Sequence, residues 1–186
     1  LTATGDPRVL VISTPPGFTA KWLAPRLYRF AEAHPELDTR VSSSMSFANF
    51  TTDGVDVAVR MLPRDPPADP ALSIEPLRAL SMVTVCSPRL LERHAPWPGA
   101  AALTRLPLIH DDSQAGQPGW LQWFAAAGLT RDGLDRGLRF SSADHALDAV
   151  AEGAGVMLAH DMLAYDELRT GRLVVPAPPS LDTGRG

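Results

Sequence analysis

Apolar and polar positions along this chain alternate in blocks that predict strands and helices in turn. Residues 8–13 are a short β-branched apolar run closed by Thr14-Pro15-Pro16-Gly17, the pattern of a buried strand that ends in a turn. Trp22, Leu23, Leu27, Phe30 and Ala31 then recur at helical spacing until His34-Pro35 stops the run. Pro25 falls inside this helix and removes one backbone bond, so the spacing predicts a kink or a late start there. Residues 39–43 read as a second strand, 46–51 as a short helix, and 55–59 as a third strand after the Asp53-Gly54 turn. The result is β-α-β-α-β, the doubly wound pattern.

A Pro- and Asp-rich loop at 63–70 precedes two further expected strands at 72–77 and 81–86, the second a crossing segment. The alternation then resumes. Helices are expected at 88–94, 120–127, 144–152 and 162–170, and strands at 107–110, 138–140, 155–159 and 173–175. The second half repeats the organisation of the first, which predicts two α/β lobes. Residues 176–186 offer little to bury and read as a loose tail.

Composition narrows the function. The 186 residues are 45% hydrophobic and carry a formal net charge of -4, with Lys and Arg scattered along the chain. That argues against a chain that grips nucleic acid by itself, since phosphate binding needs clustered cations. One cysteine, Cys86, excludes an internal disulfide framework and makes the cytoplasm the expected compartment; the residue itself reads as a small apolar side chain at a strand end. The apolar stretches are too short to span a bilayer, so no membrane partner is expected. Neither H-E-x-x-H, C-x-x-C nor a Walker A loop occurs, and Gly153-Ala-Gly155 follows a helix and lacks the third glycine of a dinucleotide fingerprint. No metal or cofactor is implied. His110-Asp111-Asp112-Ser113 holds the residue types of a hydrolytic triad, but adjacent residues cannot usually form that relay and no G-x-S-x-G elbow exists. No catalytic residue is assigned, and the chain is expected not to be an enzyme.

In a doubly wound lobe, ligands sit beyond the carboxyl ends of the strands, where helix N-termini present free N–H groups and partial positive charge. That address selects Ser13 and Thr14 after the first strand, Ser43 and Ser44 within the 42–46 segment after the second, and Ser142 ahead of the helix at 144. Phe18 lies early in the first helix near the same place, and Arg60 ends the third strand, where it could pair with an acid group or form a surface or interlobe salt bridge. Thr84, His110, Asp112 and His160, with Cys86, Asp111 and His145, lie at strand ends or in loops of the second half and could line an opposite wall. Taken singly, each serine is better read as a helix cap. Taken together they suit a carboxylate, so a small organic acid or amino-acid-like ligand is the expected partner.

Several segments, in order, resemble the effector-binding domain of LysR-type transcriptional regulators. They are Thr14-Pro-Pro-Gly-Phe-Thr-Ala-Lys-Trp-Leu-Ala-Pro-Arg-Leu27, Phe30 with His34-Pro35, Asp53-Gly-Val-Asp-Val-Ala-Val-Arg60, Cys86-Ser-Pro-Arg-Leu-Leu91, Leu106-Pro-Leu-Ile-His-Asp111, the block from Trp120 to Leu129, the block from Ala146 to Val156, and Gly171-Arg-Leu-Val174. The likeness is greatest to the branch of the glycine-cleavage activator and the β-lactamase regulator. It implies two Rossmann-like lobes joined by two crossing strands, as in type 2 periplasmic binding proteins. Residues 7–81 with 173–186 would form lobe I, and 82–172 lobe II. It further implies a small-molecule effector in the interlobe cleft, a homodimer or higher oligomer paired through the first helix, and DNA contact only through an N-terminal winged helix-turn-helix that this chain does not contain. A further strand and C-terminal helix would be expected after Gly186. The rival readings are a free solute receptor of the periplasmic type, which shares the fold, and, behind it, an enzyme.

Overall fold

The computed structural model describes residues 6–67, 69–113 and 116–186. The chain forms two compact units, Leu1–Met61 and Leu62–Gly186.

In the first unit, β1 (Val9–Thr14) enters a helical run made of α1 (Pro16–Phe18), a π-helical turn (Thr19–Leu23) and α2 (Ala24–Ala33), and the chain returns through β2 (Asp38–Ser43) and β3 (Val57–Ala58). The strands lie in the order β2-β1-β3, all parallel, with Ile12 opposite Val41 and Val57, and Thr14 opposite Ser43. The disturbance expected at Pro25 takes the form of the π turn: the Ala24 N–H reaches back five residues to the Thr19 carbonyl, and Pro25, which has no N–H, falls in the first turn of α2 where none is needed.

The helix expected at 46–51 is absent. The Asn49 side chain accepts from the N–H groups of Thr51 and Thr52, and the Asp53 carboxylate accepts from the Asn49 N–H, so side chains take the bonds that a helix would have used. The strand expected at 72–77 is likewise not formed: the segment is exposed and outside any ladder.

The second unit is built on β4 (Ser81–Val85), α3 (Pro88–Arg93), β5 (Leu108–Asp111), α4 (Trp120–Ala126), β6 (Leu138–Phe140), α5 (Ala143–Ala151), β7 (Val156–His160), α6 (Tyr165–Arg169) and β8 (Leu181–Asp182). Its sheet runs β6-β5-β7-β4-β8; β6, β5 and β7 are parallel, while β4 is antiparallel to both β7 and β8. Every residue of β7 is buried, as expected of a strand covered on both faces. Its alternate side chains serve two cores. Val156 and Leu158 join Leu108, Trp120, Trp123 and Phe124 on one face, and Met157 and Ala159 join Ile109, Ala146, Leu147 and Val150 on the other.

Residues 176–186 are not loose. Ala177 is buried, β8 extends the sheet, and the Thr84 hydroxyl donates to the Ala177 carbonyl at 2.7 Å. The indole N–H groups of Trp97 and Trp123 donate to the carbonyls of Pro176 and Pro179 at 3.0 and 2.8 Å. Prolines offer no N–H for a ladder, so side chains from the body of the unit hold the strap by its carbonyls. The strand expected at 173–175 shrinks to one bridge between Val174 and Cys86.

Candidate functional site

At the carboxyl end of the first unit's sheet, Ser13 and Thr14 close β1 and are both buried. The Thr14 carbonyl accepts from the Ser44 N–H at 2.9 Å, and the Ser44 hydroxyl accepts from the Ser46 N–H at 3.1 Å, so the turn after β2 is tied back onto β1. Thr19 donates its hydroxyl to the Pro15 carbonyl at 3.0 Å, which leaves the Thr14 hydroxyl as donor in the short bond between the two threonines. Phe18 is buried and stacks on Trp22, with ring centroids 5.1 Å apart. Ser43, opposite Thr14 in register, is exposed.

Arg60 ties this end together. Its Nε donates to the Ser46 carbonyl, Nη1 to the carbonyls of Ser13 and Val59, and Nη2 to the Ser13 hydroxyl and again to the Ser46 carbonyl, at 2.6–3.2 Å. A guanidinium has five N–H donors, and five are used. Partial burial lowers its pKa from the ordinary value, yet it stays charged. Sequence reasoning offered an acid pairing or a salt bridge; the geometry instead makes Arg60 a clamp on backbone oxygens whose positive charge remains at the strand ends.

The second unit distributes its candidates differently. Thr84 lies within β4 with its hydroxyl committed to Ala177, away from the carboxyl ends. The His110 ring bonds the Arg136 carbonyl through Nε2 at 3.0 Å, and Asp112 forms an exposed ion pair with Arg139 at 2.7 Å. Ser142 precedes α5 but hydrogen-bonds Asp144 instead of capping the backbone. Burial works against the charge on Asp144, but the Ser142 hydroxyl and the N–H groups of Asp144 and His145 outweigh it and hold the carboxyl below its usual range. The first turn of α5 is thus served by its own carboxylate.

His160 ends β7, is 5% exposed, and neither ring nitrogen has a hydrogen-bond partner among the described residues. Burial pushes its pKa down, against the opposing pull of Asp111 and Asp161. Cys86 is fully buried and its thiol is pushed up to about 12, which makes it inert. Sequence reasoning passed over Gln117, in the loop after β5, whose side-chain oxygen and nitrogen are also buried without a partner among the described residues. Its position after a parallel strand was the available signal.

The residues thus gather as two groups. Ser13, Thr14, Phe18, Ser44 and Arg60 meet at one strand end of the first unit, and Asp111 and His160 close neighbouring parallel strands at one end of the second. No described helix is long and apolar enough to cross a membrane.

Comparison with known proteins gives a consistent result. The family model of the LysR substrate binding domain matches residues 3–185. The HTH-type transcriptional regulator PerR of Escherichia coli is 35% identical over 176 residues, covering 95% of this chain and 56% of that protein. The glycine cleavage system transcriptional activator of the same organism is 34% identical, covering 90% and 53%. The chain therefore spans about half the length of these curated relatives. Among solved structures, the effector domain of the transcriptional regulator AmpR of Pseudomonas aeruginosa superposes with a TM-score of 0.72 at 27% identity, covering 94% of this chain and 81% of that one.

Proposed function

The chain belongs to the LysR substrate-binding domain family, and from that premise we propose that it is the effector-sensing part of a transcriptional regulator. It binds a small anionic molecule at the carboxyl end of its first sheet, carries out no chemistry on it, and uses the binding energy to bias DNA-binding elements elsewhere in the longer protein. A ligand can shift such an equilibrium only by as much as its affinity differs between the two states.

The observation that carries this reading is the Arg60 clamp. A cation fixed to backbone carbonyls at the ends of β1 and β3 supports hydroxyls and the start of a helical run, where an acid group gains from both charge and helix dipole. Specificity for the acid would come from the Ser43-Ser44 turn, with Thr14 holding the start of the helical run through its bond to Thr19 and Phe18 behind them.

The net charge of -4 supports a division of labour in which DNA is contacted by other parts of the regulator. Half-buried Trp22, Leu23, Leu27 and Phe30 on the first helical run support a homodimer that pairs through it. A regulator of this kind acts in the cytoplasm.

Native mass spectrometry of the freshly purified chain tests the central claim, with a co-purified small acid as the expected result. Calorimetry on the released molecule should then show weaker binding by Thr14→Val. Unchanged affinity in that variant would remove Thr14 from the site.

A further inference from the structure

The turn that follows β2 in the first unit sets large apolar side chains into water. Met45 is 55% exposed and Phe47 73%, and Phe50 is exposed as well. Single apolar residues on a surface are ordinary, but three within residues 45–50 make a stretch that water solvates poorly. The backbone that carries them is firmly held. Arg60 bonds the carbonyl of Ser46, the residue between Met45 and Phe47, through Nε at 3.2 Å and Nη2 at 2.6 Å. The Ser44 N–H donates to the Thr14 carbonyl at 2.9 Å, and the Ser46 N–H to the Ser44 hydroxyl at 3.1 Å. Beyond Phe47, the Asn49 carbonyl accepts from the Asp53 N–H, and the Asn49 side chain accepts from the Thr51 N–H, both at 2.9 Å. A turn fixed by polar bonds, with its apolar side chains left outside the core, is preorganised for binding and loses little freedom when it is covered.

The charge beside this surface selects what covers it. Arg60 forms no ion pair among the described residues, since its N–H groups are all spent on carbonyls and the Ser13 hydroxyl. The Ser44 hydroxyl accepts from Ser46 and keeps its own proton to give. A purely apolar cover would desolvate the cation without compensation, and a purely polar acid would leave Met45 and Phe47 in water. One small molecule that joins an acid group to an apolar group satisfies both.

We propose that Met45 and Phe47 form the apolar half of the effector site in the first unit, which makes the effector a monocarboxylic acid with an aromatic or branched aliphatic group. The inference rests on the effector-sensing reading above and specifies its ligand class. It also names two specificity residues outside the strand ends.

The test titrates the whole chain by calorimetry and thermal shift with two sets of probes. The apolar acids are phenylacetate, 3-phenylpropionate and 4-methylpentanoate; the polar acids are acetate, succinate and glutarate. At least one apolar acid should bind about tenfold or more tighter than every polar acid. Phe47→Ser and Met45→Ser, both at exposed positions, should melt with the wild type and cut that preference to about threefold or less, while Phe47→Leu should keep most of it. Light scattering on the same samples should show no change of oligomeric state. Equal or tighter binding of the polar acids would overturn the proposal and leave the effector-sensing reading standing. A preference that survives both serine variants would also overturn it, as would loss of a dimer in Phe47→Ser with the apolar acid bound as before, which would make the turn a contact between copies. Binding of no acid from either set would count against the effector reading and the proposal with it.

Discussion

Arg60 donates twice to one residue, to the Ser13 carbonyl at 2.8 Å and to the Ser13 hydroxyl at 2.7 Å, and so fixes the end of β1 from the end of β3. The same fork reaches the Ser46 carbonyl, which links all three strand ends of the first sheet to one cation. Lysine would keep the charge but not the planar fork. Arg60→Lys is expected to lower unfolding free energy by about 1–3 kcal/mol, the range for charged hydrogen bonds to partly buried acceptors, and to raise amide exchange in the turn after β2. Urea denaturation and hydrogen exchange check both. Unchanged protection of the Ser44 and Ser46 amides would mean that the clamp does not hold the turn.

His160 gives the fold a defined response to acid. Burial lowers its folded pKa below the unfolded value of 6.5, so the unfolded chain takes up the proton first as pH falls. The contribution is therefore fully present above about pH 6.5 and is lost as pH drops from there toward the folded pKa. Denaturant midpoints across pH 7.5 to 5 should fall in the wild type and fall less in His160→Gln. Parallel profiles for the two proteins would show that another group titrates.

Thr84→Val tests the strap formed by residues 176–179. The substitution keeps shape but leaves the buried Ala177 carbonyl without its donor, at an expected cost of about 1–3 kcal/mol. Limited proteolysis should then cut earlier between residues 176 and 182, and an unaltered cleavage pattern would mean that the two indole bonds suffice.

Gly137 stands at the entrance to β6 with φ of +138°, and a Cβ there would lie 1.9 Å from the Leu108 carbonyl oxygen. Gly137→Ala must push β6 away from β5 or distort the backbone, and a loss of roughly 3 kcal/mol is expected from overpacking and strain combined. Thermal unfolding measures it; a melting temperature within about 1 °C of the wild type would contradict the close approach, since 1 kcal/mol already shifts a protein of this size by about 2–4 °C.

Where strands and helices alternate, and that their carboxyl ends matter, is written in the local pattern of the chain. This is so because a strand buried on both faces, such as β7, must be written as a continuous apolar run, and because helical spacing around Trp120 and Ala146 is a local property. The same pattern brought Ser13, Thr14, Ser44 and Arg60 into one list, since all sit at strand ends that a parallel sheet places together.

Tertiary structure decided what those groups do. Whether Arg60 spends its donors on a ligand or on Ser13 and Ser46 depends on how far two loops approach, and no local pattern encodes that distance. Residues 176–186 read as loose because proline segments show no periodicity. They are held by Thr84, Trp97 and Trp123, which lie 93, 79 and 56 residues from their carbonyl partners. His160 and Gln117, like Thr39, are marked out among the described residues by buried polar atoms without partners, and burial is a property of the packed chain that no local pattern encodes.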